Sequence, residues 1–125
     1  MLVGSGVVGS GHRVDLVTWL LRDGDVLATA EVAEGLAQRS RGLLGRASYQ
    51  GAMVLPRTRA VHTIGMRFSI DVAWCDKDGV VIASTTIRPW RMSLPRRRAR
   101  SVIEAEAGAF ERWGMRVGDT IELRG

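Results

Sequence analysis

The stretch from Ser69 to Ile87 constrains the fold more than any other. Ile70, Val72 and Trp74 alternate with Ser69, Asp71, Ala73 and Cys75. A period of two suits a half-buried strand and does not suit a helix. Asp76-Lys77-Asp78-Gly79 then supplies turn chemistry, because glycine accepts positive φ at no steric cost, and Val80 to Ile87 resumes as a second strand. The unit reads as an antiparallel hairpin.

The rest of the chain extends this pattern. Arg13 to Leu21 and Val26 to Ala33 are apolar runs separated by Arg22-Asp23-Gly24-Asp25, so 13–33 reads as another hairpin. Ser101 to Ala107 and Asp119 to Leu123 read as short closing strands. Two short helices are expected. Glu34 to Leu44 carries Leu36, Leu43 and Leu44, and Gly45 is placed to stop it. Gly108 to Trp113 sets Phe110 and Trp113 three apart on one face, with Gly114 as its stop. The expected fold class is mainly β with one or two short helices (α+β), in a small barrel-like antiparallel sheet.

A chain of 125 residues has a single-domain length. Residues 1–11 hold four glycines and two serines and read as a flexible lead-in. One domain is expected over 12–125. With 46% hydrophobic and 25% charged residues, the composition is that of a globular protein and not of a disordered one. Glycine and serine break the first residues into apolar pieces shorter than a signal-peptide core, and no apolar run approaches a bilayer span. The expected location is the cytoplasm, with no membrane partner, and a lone cysteine suits that compartment.

The chemistry-bearing residues are few. One cysteine excludes an internal disulfide or a multi-thiolate zinc site. His12 and His62 are 50 residues apart, with no paired-ligand spacing, so no metal and no cofactor is expected. Cys75 could act as a nucleophile only with a base in reach. In an apolar strand it reads instead as a packed thiol. There is no Gly-x-Ser-x-Gly elbow and no phosphate loop.

Charge is the more distinctive feature. The net charge is +5, and 17 of the 18 basic residues are arginine. Pro95-Arg96-Arg97-Arg98-Ala99-Arg100 follows Arg88 and Arg91, and no carboxylate lies between Gly79 and Ile103. Proline at 89 and 95 makes this a loop. Such a loop can bind anions, with salt-sensitive affinity, or simply be solvated. Nucleic acid is allowed as a partner but not favoured, because aromatic platforms are scarce. Two carboxylates stand in apolar strands, Asp71 and Glu104. They read either as the charged floor of a pocket or as groups that face water or close an ion pair, with Arg39, Arg46 and Arg67 as partners.

These pieces, in this order, resemble the domain of unknown function 192 family. Arg39 and the run Arg41-Gly42-Leu43-Leu44-Gly45-Arg46 are similar to its first helix. Val61-His62-Thr63-Ile64-Gly65-Met66-Arg67-Phe68-Ser69-Ile70-Asp71-Val72 is similar to its central block, followed by Asp78-Gly79 at the hairpin. Pro89, Glu104, Gly108, Gly114 and Gly118-Asp119 are similar to its C-terminal pattern. The likeness covers about residues 26–123. Ser69 stands where the family usually has proline and Leu44 where it usually has methionine. Other members carry an aromatic residue at His62, which weakens any catalytic reading of that imidazole. The resemblance implies a compact β-rich, barrel-like domain found in bacteria and archaea, and it implies no activity, substrate or cofactor.

The leading expectation is therefore a non-catalytic binding or accessory module, with a small polar, arginine-lined pocket for a small anionic ligand or a protein partner. Its candidate residues are Arg39, Arg46, His62, Thr63, Met66, Arg67, Asp71 and Glu104. One alternative is a hydrolase-type enzyme using Asp71 or Glu104 as general base. Another is polyanion or nucleic-acid binding through the basic loop 88–100, by Arg88, Arg91, Arg96, Arg97, Arg98 and Arg100.

Overall fold

The computed structural model describes residues 17–33 and 50–125. The expected lead-in 1–11, the first residues of the first hairpin and the expected helix Glu34 to Leu44 lie outside the described residues. Among the described residues, seven strands form one sheet: β1 (Thr18–Arg22), β2 (Asp25–Val32), β3 (Ala52–Pro56), β4 (Ile70–Cys75), β5 (Val81–Ile87), β6 (Ser101–Glu106) and β7 (Ile121–Arg124). A short helix, α1 (Ala109–Trp113), stands between β6 and β7. The strand order is β5-β4-β6-β3-β2-β1-β7.

Both expected hairpins are present. β1 and β2 pair antiparallel around Asp23-Gly24, and β4 and β5 pair antiparallel around the Asp76–Gly79 turn. The Asp76 carboxylate accepts from the Asp78 and Val80 amides at 2.9 and 3.0 Å, a side-chain turn that fixes where the chain reverses. All ladders are antiparallel except β2–β3, which runs parallel with Ala30 opposite Ala52. A parallel pair needs a long crossover, so the sheet is mixed and not purely antiparallel.

The sheet curls until its two edge strands approach. Val80 bridges Thr120, the Val81 amide donates to the Asp119 carbonyl, and the Ile121 amide donates to the Gly79 carbonyl. This seam covers part of each edge, which answers the pairing hazard of an open sheet. It also gives the barrel-like shape.

Each sheet face carries its own core. On one face Leu20, Val54, Ala73, Ile103 and Leu123 pack with Phe110 of α1. On the other, Met53, Leu55, Ile70, Val72, Trp74 and Val102 pack with Val61 and Met66 of the segment before β4. The alternation in 69–75 predicted a half-buried strand, but β4 is buried along its whole length. It lies inside the sheet between β5 and β6, so both of its faces are covered.

Candidate functional site

The two strand carboxylates point to opposite faces. On β4, Ile70, Val72 and Trp74 enter one core while Ala73 and Cys75 enter the other, so Asp71 belongs with Ala73 on the α1 side. On β6, Val102 enters the Trp74 core and Ile103 and Ala105 enter the α1 core, so Glu104 lies on the Trp74 side. There it is buried, flanked across the ladders by Met53 and Val72. Side chains of successive strand residues alternate in direction, so a single pocket floor holding both groups is excluded. Neither carboxylate faces water, contrary to one of the expectations from sequence.

Asp71 is fully engaged. Its Oδ1 accepts from the Thr86 hydroxyl at 2.7 Å, and Thr86 is its direct partner across the β4–β5 ladder. Its Oδ2 accepts from the amides of Gly108 and Phe110 at 3.0 and 3.1 Å. Helix α1 begins at a glycine, which offers no side-chain cap. Asp71 therefore supplies from a neighbouring strand the acceptor that an N-cap residue normally supplies locally. A negative charge suits that helix end.

The remaining members of the expected pocket separate as well. Thr63 and Met66 are buried, whereas His62 and Arg67 are exposed. Arg39 and Arg46 lie outside the described residues. Thr63 acts as a fastener between two loops. Its hydroxyl donates to the Arg88 carbonyl at 2.6 Å and accepts from the Arg91 amide at 2.9 Å. Its backbone amide donates to the Arg91 carbonyl, and its carbonyl accepts from the Trp90 amide. Further along, the Ser93 amide donates to the Val61 carbonyl and the Arg96 amide to the Arg59 carbonyl, while His62 bridges Met92. Residues 57–67 and 88–100 are thus laced into one double loop.

That double loop carries the basic residues. Arg57, Arg59, Arg67, Arg88, Arg91, Arg96, Arg97, Arg98 and Arg100 are all exposed. No carboxylate occurs in either segment. Among the described residues the ion pairs are Arg22–Asp119 and Arg124–Glu122, and both lie elsewhere. Several loop guanidiniums instead satisfy nearby carbonyls. Arg91 donates to the Trp90 carbonyl at 3.2 Å, and Arg100 donates to the Ala99 carbonyl at 3.0 Å. Arg96 lies over the buried Trp74 ring, 4.4 Å from its centroid, a cation–π contact worth about 1 kcal/mol. The Trp74 indole donates to the Arg59 carbonyl at 3.0 Å.

Other chemistry finds less support. Cys75 is buried, and burial pushes its thiol pKa up to about 12, with a hydrogen bond to Ser101 opposing the shift and Asp76 adding to it. A thiol held protonated is a poor nucleophile. Among the described residues no three His, Cys, Asp or Glu side chains come together as a metal site. No helix there is long and apolar enough to cross a membrane. A groove of about 600 Å³ opens beside the seam, lined by Asp23, Arg57, Asp76, Lys77, Arg100 and Glu122 among others. Of these only Arg100 was singled out from sequence. The others come from four separate segments, and no local spacing signals their meeting.

Fold and site together define a small, mainly β domain in which one curled mixed sheet, braced by a strand-capped helix, displays an arginine-bearing double loop. Comparison with known proteins identifies it further. The model of the domain of unknown function 192 family, described as "Uncharacterized ACR", matches residues 19–123. The chain belongs to that family. A UPF0127 protein of Pyrococcus abyssi is 34% identical over 97 residues, covering 74% of this chain and 83% of that protein. One from Pyrococcus furiosus is 35% identical over 95 residues, covering 72% and 82%. The crystal structure of a protein of unknown function from Novosphingobium aromaticivorans superposes with a TM-score of 0.73 at 18% identity, covering 95% of this chain and 92% of that one. At that identity the likeness shows the fold alone.

Proposed function

We propose that this protein is a binding module that engages an anionic partner through the arginine face of its double loop. The observation that carries the reading is the charge inventory of residues 57–67 and 88–100. Nine arginines stand exposed there without one carboxylate among them. Arginine presents a planar fork that pairs with phosphate or carboxylate oxygens, and it remains charged at any accessible pH. Backbone hydrogen bonds and the Thr63 fastener hold the two segments in register, so the backbone needs little ordering on binding, and the entropic cost falls on the arginine side chains. Asp71 supports this non-catalytic reading, because its oxygens are already committed to Thr86 and two helix amides.

Retention on heparin or on short DNA tests it. The parent protein binds at low salt and elutes as salt rises. Replacing Arg88, Arg97 and Arg98 by Ser, three exposed side chains with no hydrogen-bond role in the fold, shifts elution to lower salt. It also reduces the log–log salt slope by about one per arginine removed. Absence of retention at low ionic strength overturns the proposal.

A further inference from the structure

The same double loop carries an apolar ridge. In Arg88-Pro89-Trp90-Arg91-Met92-Ser93-Leu94-Pro95, the apolar residues fall at every second position after the proline. Trp90 is 64% exposed, Met92 74% and Leu94 85%. The facing segment completes the pattern. Val61 and Thr63 are buried, whereas His62 between them and Ile64 in the following turn are exposed, Ile64 by 41%. His62 is directly opposite Met92, and Thr63 pairs with Trp90 and Arg91. Four large apolar side chains therefore stand exposed on the laced double loop, Met92 and Leu94 beside the His62 bridge, Trp90 at a bend with positive φ and Ile64 in the turn that the Met66 amide closes on the Thr63 carbonyl, where single exposed hydrophobics would be unremarkable.

We infer that this ridge is a docking edge for bilayers rich in anionic lipid. The inference rests on the proposed anion-binding face and names its partner class. Two chemistries coincide in one loop. The arginines meet lipid phosphates and are drawn to a negative leaflet. The ridge inserts shallowly among the acyl chains, as the apolar face of an interfacial element does. Tryptophan favours the headgroup level, and arginine stems can lie along apolar surface while their heads stay in water. Nucleic acid uses only part of this surface. A base can stack on Trp90, but Met92 and Leu94 then remain in water. Backbone lacing sets the ridge in place before contact, so docking needs no folding step.

The test is co-sedimentation of the full chain with vesicles of phosphatidylcholine alone, and of phosphatidylcholine mixed with phosphatidylglycerol. Binding is expected only to the mixed vesicles, weakening with salt. Met92→Ser with Leu94→Ser is expected to lower that binding about tenfold while heparin retention and the thermal midpoint stay unchanged. A blue shift of tryptophan emission on the mixed vesicles is expected to vanish in Trp90→Phe. Equal vesicle binding by the parent and the Met92/Leu94 variant overturns the inference. So does heparin or DNA binding without vesicle binding, although that result leaves the anion-binding reading standing. Self-association of the parent that the double substitution abolishes overturns it in favour of a second copy of this chain. Failure to bind either heparin or mixed vesicles removes both readings.

Discussion

Removing the Asp71 carboxylate tests whether this buried acid is a brace. It accepts three hydrogen bonds, from the Thr86 hydroxyl, the Gly108 amide and the Phe110 amide. In Asp71→Ala those donors lose their acceptor. Phe110 is buried and Gly108 half-buried, so water reaches the second amide more easily than the first. A buried donor left unsatisfied costs about 1–3 kcal/mol. The Phe110 amide at full cost, the Gly108 amide at partial cost and the small void together come to about 3 kcal/mol. Thr86 is exposed and its hydroxyl can turn to water, so Thr86→Val is expected to cost less than about 1 kcal/mol.

Asp71→Asn separates charge from geometry. The amide oxygen can keep both helix donors, and the amide nitrogen can donate to the Thr86 oxygen. Only the charge-assisted part of the bonds is lost, about 1 kcal/mol. The expected order of destabilisation is Ala, then Asn, then Thr86→Val, read from urea denaturation midpoints with unchanged slope. Against a typical domain stability of about 5–15 kcal/mol these losses are readily measured. An Asp71→Ala protein within about 1 kcal/mol of the parent refutes the reasoning, because two helix amides would then have found other acceptors.

Three further outcomes follow from the geometry. Gly79 and Gly24 both adopt positive φ, but a Cβ at Gly79 would meet the Ile121 carbonyl oxygen at 2.5 Å, whereas one at Gly24 meets nothing within 4 Å. Gly79→Ala should therefore cost more than Gly24→Ala, which pays only the backbone strain of about 1 kcal/mol; equal melting points would show that the seam does not constrain the turn. The Cys75 thiol, raised by burial from 9.0 to about 12, should resist thiol reagents in the folded protein at pH 8. Because its folded pKa lies above its unfolded one, its contribution is intact below pH 9 and is lost as pH rises from 9 towards 12, by roughly 1 kcal/mol at pH 10; Cys75→Ala should flatten that part of the stability profile. Thr63→Val keeps the shape but removes both hydroxyl bonds to Arg88 and Arg91, so it should cost about 1–3 kcal/mol and speed hydrogen exchange at the Arg91 amide.

The sequence makes some of this fold legible and hides the rest for physical reasons. The β4–β5 hairpin shows itself because its alternation and its Asp-Lys-Asp-Gly turn are both local. Helix α1 shows itself through Phe110, Trp113 and the Gly114 stop, and the two rings do meet, with centroids 5.7 Å apart. Strand β3 gives no such sign. Ala52, Met53, Val54 and Leu55 are all buried, because β3 lies between β2 and β6 with both faces covered. A strand of this kind has no polar face to alternate with. The opposition of Asp71 and Glu104 depends on strand register, which residue types alone do not specify. The arginine run is plain in composition, whereas its second half, residues 57–67, joins it only through long-range backbone pairing, from Arg57 with Arg100 to Thr63 with Arg91 and His62 with Met92.

That pairing also explains how the fold tolerates so much like charge in one place. Nine cations within two short segments repel one another, and salt screens the repulsion only beyond a Debye length of about 8 Å. Elsewhere on a protein, interspersed carboxylates would offset it. Here the loops are held by bonds that involve no acid: amide to carbonyl across the two segments, the buried Thr63 hydroxyl, guanidiniums turned onto carbonyls, and Arg96 on the Trp74 ring. Of the nine, Arg57 and Arg100 share their groove with Asp23, Asp76 and Glu122, whereas the other seven stand on segments that carry no carboxylate of their own. On the proposed reading, an anion that settles on this loop would relieve repulsion as well as gain its own contacts, so the forces that would otherwise loosen the loop would favour its binding.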